Sequence, residues 1–239
     1  MNVGLFGGTF DPIHRGHLAV ARAAQKRFKL ARILFVPAST PPHKQSLQIT
    51  PYAHRYAMTV LATSGEKSFI PCDIESPERL GGKPSYTVET VARLKAQLSR
   101  EDRLFLLIGM DAFKDIAKWR APETLLRETE FVVMARPGFS LKEVNASLPP
   151  SMRPDPTPRD TRKDEISLPG ATLHLLPDVH EKISATQIRA AARTGRKLDA
   201  LVGKAVADYI RKIGLYTDPS GTTVTSKRSS QEIAARRRK

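Results

Sequence analysis

The chain contains one cysteine, Cys72, so it has neither an internal disulfide framework nor a zinc site built from cysteine alone. Its longest purely apolar runs, Leu104 to Ile108 and Phe131 to Ala135, fall far short of the roughly 20 residues that span a bilayer. Met1 to Phe6 carries no basic stretch ahead of a hydrophobic one, so it does not read as a signal peptide, and a reducing, cytoplasmic setting is expected. Aromatic residues are scarce at 6%, and no aromatic stacking motif for single-stranded RNA is present. Internal repeats are absent. Also missing are a G-x-G-x-x-G turn, a P-loop (Gly81-Gly82-Lys83 lacks the spacing) and an H-E-x-x-H zinc helix.

What is present is a soluble, globular composition of 239 residues, 40% hydrophobic and 26% charged. The formal net charge is +15. From Thr217 to the end, six basic residues stand against two acidic ones, so most of the excess belongs to the body. A basic body suits anionic partners, among them phosphorylated metabolites and nucleic acid. The low aromatic content makes nucleic acid the less favoured of these, and six tail cations are a weak basis for a lipid surface.

Short runs rich in branched residues alternate with stretches of helical period. The runs Val3 to Phe6, Ile33 to Pro37, Leu104 to Ile108, Phe131 to Ala135 and Thr172 to Leu176 read as strands. Leu18, Ala21, Ala24 and Phe28 fall on one helical face, and helical patterns also fit Tyr52 to Thr63, Thr87 to Leu98 and Lys204 to Ile213. Apolar runs of this kind need cover on both faces, so the expected fold class is α/β: a doubly wound, mainly parallel sheet with helices on both sides. Residues 1–216 form one expected domain. Asn145 to Gly170, with six prolines, reads as a loop or insertion without its own core, and residues 217–239 read as a disordered basic tail.

The chemistry concentrates where the first strand ends. Gly7-Gly8-Thr9-Phe10-Asp11-Pro12-Ile13-His14-Arg15-Gly16-His17 leads directly into a helix. Glycines at a strand end let backbone N–H groups approach a ligand, and the helix start favours negative charge, so the turn is a candidate phosphate cradle. His14 and His17 lie three apart at the helix entry, where both rings can face one anion, or where they merely cap the helix or sit in solvent. With no serine or cysteine in the motif to act as nucleophile, direct transfer between substrates is the expected reaction type. Further along, Ser184 and Gln187 form a capping-box pattern, which starts another helix with Arg189 about one turn inside. Ser85 or Thr87 can cap the helix that follows Tyr86, and Ile108-Gly109-Met110-Asp111 closes a strand at the end where open α/β sheets bind ligands.

The string GGTFDPIHRGH resembles the signature of the H-x-G-H nucleotidyltransferases. Together with PPHK ending at Lys44, SYTVET, IGMD with Trp119 downstream, RPG at Arg136 to Gly138 and ISATQIR, the chain is similar to the bacterial nicotinate-nucleotide adenylyltransferases. That resemblance implies a Rossmann-like fold. It also implies adenylyl transfer from ATP to nicotinate mononucleotide, with Mg²⁺ held mainly by phosphates and water and no metal site on the protein. It implies that His14, His17 and Arg189 are catalytic and that Gly8, Thr9, Phe10, Ser184 and Thr186 join them around ATP. Lys44, Tyr86, Thr87, Asp111, Trp119 and Arg136 would line the acceptor site. Relatives usually carry a serine where Ala185 stands. Another H-x-G-H adenylyltransferase, acting on nicotinamide mononucleotide or phosphopantetheine, is the alternative within the class. A nucleic-acid binder on the same fold is the alternative outside it. No heptad specifies an oligomer, so a homo-oligomer stays open.

Overall fold

The computed structural model describes residues 1–39, 49–134, 141–154, 164–176 and 183–217. In chain order the described elements are β1 (Asn2–Gly8), α1 (Arg15–Phe28), β2 (Arg32–Pro37), α2 (Tyr52–Thr63), β3 (Phe69–Pro71), α3 (Pro77–Leu80) and α4 (Thr87–Lys95). They continue with β4 (Arg103–Gly109), α5 (Met110–Phe113), α6 (Pro122–Glu128), β5 (Glu130–Met134), α7 (Leu141–Ser147), β6 (Glu165–Leu168) and β7 (Ala171–Leu176). Three helices close the described chain: α8 (Ala185–Arg193), α9 (Asp199–Val202) and α10 (Lys204–Ile213).

The strands make one seven-stranded sheet in the order β3-β2-β1-β4-β5-β7-β6. All neighbours pair in parallel except β6 and β7, which form an antiparallel hairpin. Alternation along each strand distributes the core. In β4, Leu104, Leu106 and Ile108 join Val3, Leu5 and Val133 under α4, α5 and α6. Phe105 and Leu107 face the opposite way and join Phe6, Phe35 and Val132 under α1, α2, α9 and α10. This two-sided burial is why the central strands carry no polar face. The expected doubly wound sheet is therefore the observed architecture.

Three local expectations need correcting. The helix starting at Thr87 ends at Lys95 rather than Leu98, and its N-cap is Tyr86, which makes no side-chain cap; the Ser85 hydroxyl instead goes to the buried carboxylate of Glu75. The stretch from Asn145 to Gly170 is structured at both ends. Leu148 and Met152 are buried in the core, and Ile166 and Leu168 on β6 pack there too, because their alternation gives the edge strand one apolar face. The strand read as Phe131 to Ala135 runs from Glu130 to Met134, with Ala135 outside the described residues. Of the expected tail only Thr217 lies among the described residues. No described helix is long and apolar enough to cross a membrane.

The order places a topological switch between β1 and β4, since the chain leaves β1 toward β2 on one side and returns to β4 on the other. The carboxyl ends of the strands flanking this crevice, Gly8 of β1 and Gly109 of β4, frame the natural ligand position of such a sheet.

Candidate active site

Beyond Gly8 the chain folds back on itself. A Cβ at Gly8 would lie 2.8 Å from the Phe10 ring, so only glycine allows this approach. Phe10 has φ 47°, in the left-handed region, and its ring is buried against Phe6, Phe35 and His17. His14 then serves as N-cap of α1 with extended backbone. Its N–H donates to Nδ1 of His17 at 3.1 Å. An Nδ1 that accepts carries no proton, so a neutral His17 holds its proton on Nε2, where it is a donor.

The two imidazoles stack with centroids 3.7 Å apart and planes 30° from parallel. Burial pushes the His14 pKa down from 6.5 to about 4. His17 is pushed well below its ordinary value, first by burial and then by His14 beside it. Both rings are therefore neutral near pH 7. His14 Nδ1 is buried with no hydrogen-bond partner among the described residues, a polar atom that awaits one. His17 thus meets the capping expectation through Nδ1, which leaves Nε2 outside that bond.

Helix α8 meets the same turn from the other side. Ser184 and Gln187 make the capping box, with Ser184 Oγ accepting from Gln187 N and Gln187 Oε1 accepting from Ser184 N, both at 3.2 Å. Arg189 Nη1 donates to the Asp11 carbonyl at 2.8 Å, and Nη2 lies 3.3 Å from Thr186 Oγ1. The second predicted helix start is thereby fastened to the first motif. Asp11 is itself occupied: its carboxylate accepts from Tyr216 Oη at 2.7 Å and from Thr50 N at 3.2 Å. Among the described residues no group of three or more His, Cys, Asp or Glu converges as a metal cage.

Around the residues expected to line the acceptor site, Arg120 brings two predicted segments together. Its guanidinium sits 4.6 Å from the Tyr86 ring centroid and 3.0 Å from Glu89, which joins the Trp119 segment to the start of α4. Tyr86 and Thr87 are half-buried there, and Trp119 packs partly on the core with part of its surface exposed. Asp111 is exposed on α5, directly after the carboxyl end of β4. Lys44 and Arg136 lie outside the described residues.

The sequence from residue 5 to residue 191 matches the cytidylyltransferase-like family. A probable nicotinate-nucleotide adenylyltransferase of Moorella thermoacetica is 37% identical over 215 residues, covering 90% of this chain and 91% of that protein. One from Thermus thermophilus is 38% identical over 216 residues, covering 90% of this chain and all of its own length. The chain belongs to the nicotinate-nucleotide adenylyltransferases, within the cytidylyltransferase-like family. Among solved structures it resembles the Plasmodium falciparum nicotinic acid mononucleotide adenylyltransferase complexed with NaAD, at 20% identity and a TM-score of 0.65, over 90% of this chain and 97% of that one. That likeness is one of fold.

Within this adenylyltransferase, sequence reasoning passed over several site residues. Arg55 is 1% exposed and bonds to four carbonyl oxygens around the site. Its signal was a cation on the face of α2 that also carries Met58 and Thr59, both buried. Glu75, with its carboxyl pushed up by burial, accepts from Thr90 Oγ1 at 2.6 Å, from the Ser85 hydroxyl and from the Ser39 N–H. Tyr216, beyond the last long helix, had no motif to mark it.

Proposed function

We propose that the chain transfers the adenylyl group of ATP to nicotinate mononucleotide, yielding deamido-NAD and pyrophosphate. The observation that carries this reading is the pair of neutral, stacked imidazoles at the start of α1, with α8 fastened by Arg189 to the same turn. Such a site offers fixed N–H donors and two helix starts to one polyanion. An oxygen of the mononucleotide phosphate attacks the α-phosphorus in line. The new P–O bond forms as the bond to the β-phosphate bridging oxygen breaks, and that oxygen leaves with pyrophosphate. His17 Nε2 and His14 meet the charge that builds on the leaving group, and a proton taken up there is favoured by the negative charge that arrives with the substrate.

Mg²⁺ enters with ATP as the substrate complex. Both oxygens of the Asp11 carboxylate are engaged by Tyr216 and Thr50, which suits an ion held by phosphate oxygens and water. Gly8, Thr9, Phe10, Ser184 and Thr186 surround ATP in this reading, while Tyr86, Thr87, Asp111 and Trp119, with Lys44 and Arg136, serve the acceptor. Backbone N–H groups near Thr87 and Trp119 take the pyridine carboxylate. The half-buried free thiol of Cys72, its pKa pushed up by burial, suits a reducing cytoplasm.

The test is pyrophosphate release with ATP and Mg²⁺, with nicotinate mononucleotide, nicotinamide mononucleotide and phosphopantetheine offered at equal concentration. Preference for the acid by about a hundredfold or more in kcat/KM is expected, as a polar recognition site supplies. Equal rates for acid and amide would remove the assignment near Thr87 and Trp119. Turnover of none of the three by folded protein would remove the reaction itself.

A further inference from the structure

We propose that Arg55 is the positioning residue of the active site: its guanidinium, paired with Arg189 across the turn, holds Phe10 in the conformation that presents the triphosphate cradle, and ties that cradle to the acceptor side. The inference rests on the adenylyl-transfer reading above and adds to it a residue that touches neither substrate.

Arg55 is a buried cation with no carboxylate in salt-bridge contact among the described residues. Its nitrogens are satisfied by carbonyls instead. Nε donates to Thr50 at 2.8 Å, Nη1 to Thr9 at 2.8 Å and to Ala38 at 2.7 Å, and Nη2 to Ser39 at 3.1 Å. An apolar side chain fills space at far smaller desolvation cost, so space-filling alone does not account for a guanidinium here. What the planar fork does, and a hydrophobe cannot, is gather carbonyls from three separate segments onto one centre.

The Thr9 bond has a directional consequence. Carbonyl and N–H point opposite ways across a trans peptide, so drawing the Thr9 carbonyl inward turns the Phe10 N–H away from Arg55. Phe10 itself sits at φ 47°, which an L-residue with a large side chain holds only when its surroundings force it. Both sides of that residue are clamped. Arg55 holds the Thr9 carbonyl before it, and Arg189 holds the Asp11 carbonyl after it. Asp11 is in turn linked back through Thr50, whose N–H it accepts and whose carbonyl Arg55 takes.

On its other side Arg55 reaches the acceptor half. Ser39, held by its carbonyl, gives its N–H to Glu75, and Glu75 also receives the hydroxyls of Ser85 and Thr90 at the entry of α4. One side chain therefore joins the turn after β1 to the helix start on which Tyr86 and Thr87 stand. The reaction needs an attacking oxygen and a phosphorus in line, and this connection sets the two halves relative to each other.

Arg55→Lys keeps the charge but cannot span four carbonyls. It is expected to unfold cooperatively, to lose about ten- to a hundredfold in kcat at saturating substrates, and to change KM much less. Hydrogen exchange should quicken over residues 5–17 and 49–59 while β4 and α10 keep their protection. In Arg55→Ala, a low concentration of guanidinium should restore part of kcat where urea at the same concentration does not. If Arg55→Ala does not fold, Tyr216→Phe supplies the milder perturbation: with one bond to Asp11 lost, kcat is expected to fall a fewfold while the protein still unfolds cooperatively, with only a modest loss of stability. Wild-type kcat in Arg55→Lys, or activity losses that track only the unfolded fraction with no rescue, would overturn the proposal. Lack of turnover in the parallel wild-type assay would strike the reaction assignment instead, and exchange over residues 5–17 would then decide whether Arg55 holds the turn.

Discussion

Acidification will weaken this fold through His14, and the size of the effect can be worked from its surroundings. The side chain is 8% exposed, and burial lowers its pKa from 6.5 to about 4. Above pH 6.5 the ring is neutral in both folded and unfolded chains, so the stability it allows is fully present. As the pH falls from 6.5 toward 4, the unfolded chain takes up a proton that the folded one refuses, and stability is lost at about 1.4 kcal/mol per pH unit. Across the window this comes to about 3 kcal/mol, a large share of the roughly 5–15 kcal/mol that holds a domain together. His17, shifted the same way, steepens the wild-type curve further. Glu75 acts oppositely, because its carboxyl is pushed up, and it cancels in a comparison between variants.

The comparison is wild type against His14→Asn, since asparagine keeps an N-cap but does not titrate. Urea unfolding at a series of pH values should give parallel curves above pH 7. Below 6.5 the wild type should fall away with an extra slope of about one proton. A wild-type minus variant difference that stays constant from pH 7 to pH 4.5 would refute the burial argument. Saturating ATP should flatten the wild-type slope, because phosphates beside the rings favour their protonated form.

His17→Ala should reduce kcat by about 10²- to 10³-fold, roughly 3–4 kcal/mol of transition-state stabilisation, as loss of other preorganised anion donors does. The same change removes the acceptor of the His14 N–H and should cost about 1 kcal/mol in urea unfolding; folded protein with wild-type turnover would contradict the assignment. Ser184→Ala breaks the capping box of α8 and should also lower stability by about 1 kcal/mol while raising KM for ATP more than it lowers kcat. Unfolding and KM both unchanged would show that this helix start serves neither fold nor nucleotide.

The central strands were legible because burial on both faces leaves unbroken apolar runs such as Leu104 to Ile108. The β1 turn was legible because its glycines and histidines crowd one eleven-residue string. β3 escaped notice: it has three residues, one of them the exposed Ile70, and so presents no pattern. β6 was hidden among prolines, yet Pro169-Gly170 between two short apolar runs is a turn signal, and Gly170 does take φ 74° in the hairpin. The clamp around Phe10 was not legible at all. It is built from main-chain carbonyls, which no residue type announces, and Arg55 showed only as a charge on the buried side of a helix. Candidate residues such as Trp119 could be named from a motif, but the link from its segment to Tyr86 is made by the neighbouring Arg120, whose partners Tyr86 and Glu89 lie about thirty residues earlier in the chain.

The sheet's two borders bear on how the molecule behaves in a crowd. An open sheet ends in rows of unpaired main-chain groups that invite a neighbouring copy to add a strand. Here the outermost strands are β3, three residues long and ending in Pro71, and β6, four residues long and turned antiparallel to its neighbour. A copy docking at either border meets only a short stretch of main chain, which limits strand addition there. The same brevity leaves the borders as the places where residues can be exchanged at least expense to the proposed catalytic crevice between β1 and β4, since both borders lie away from those two strands.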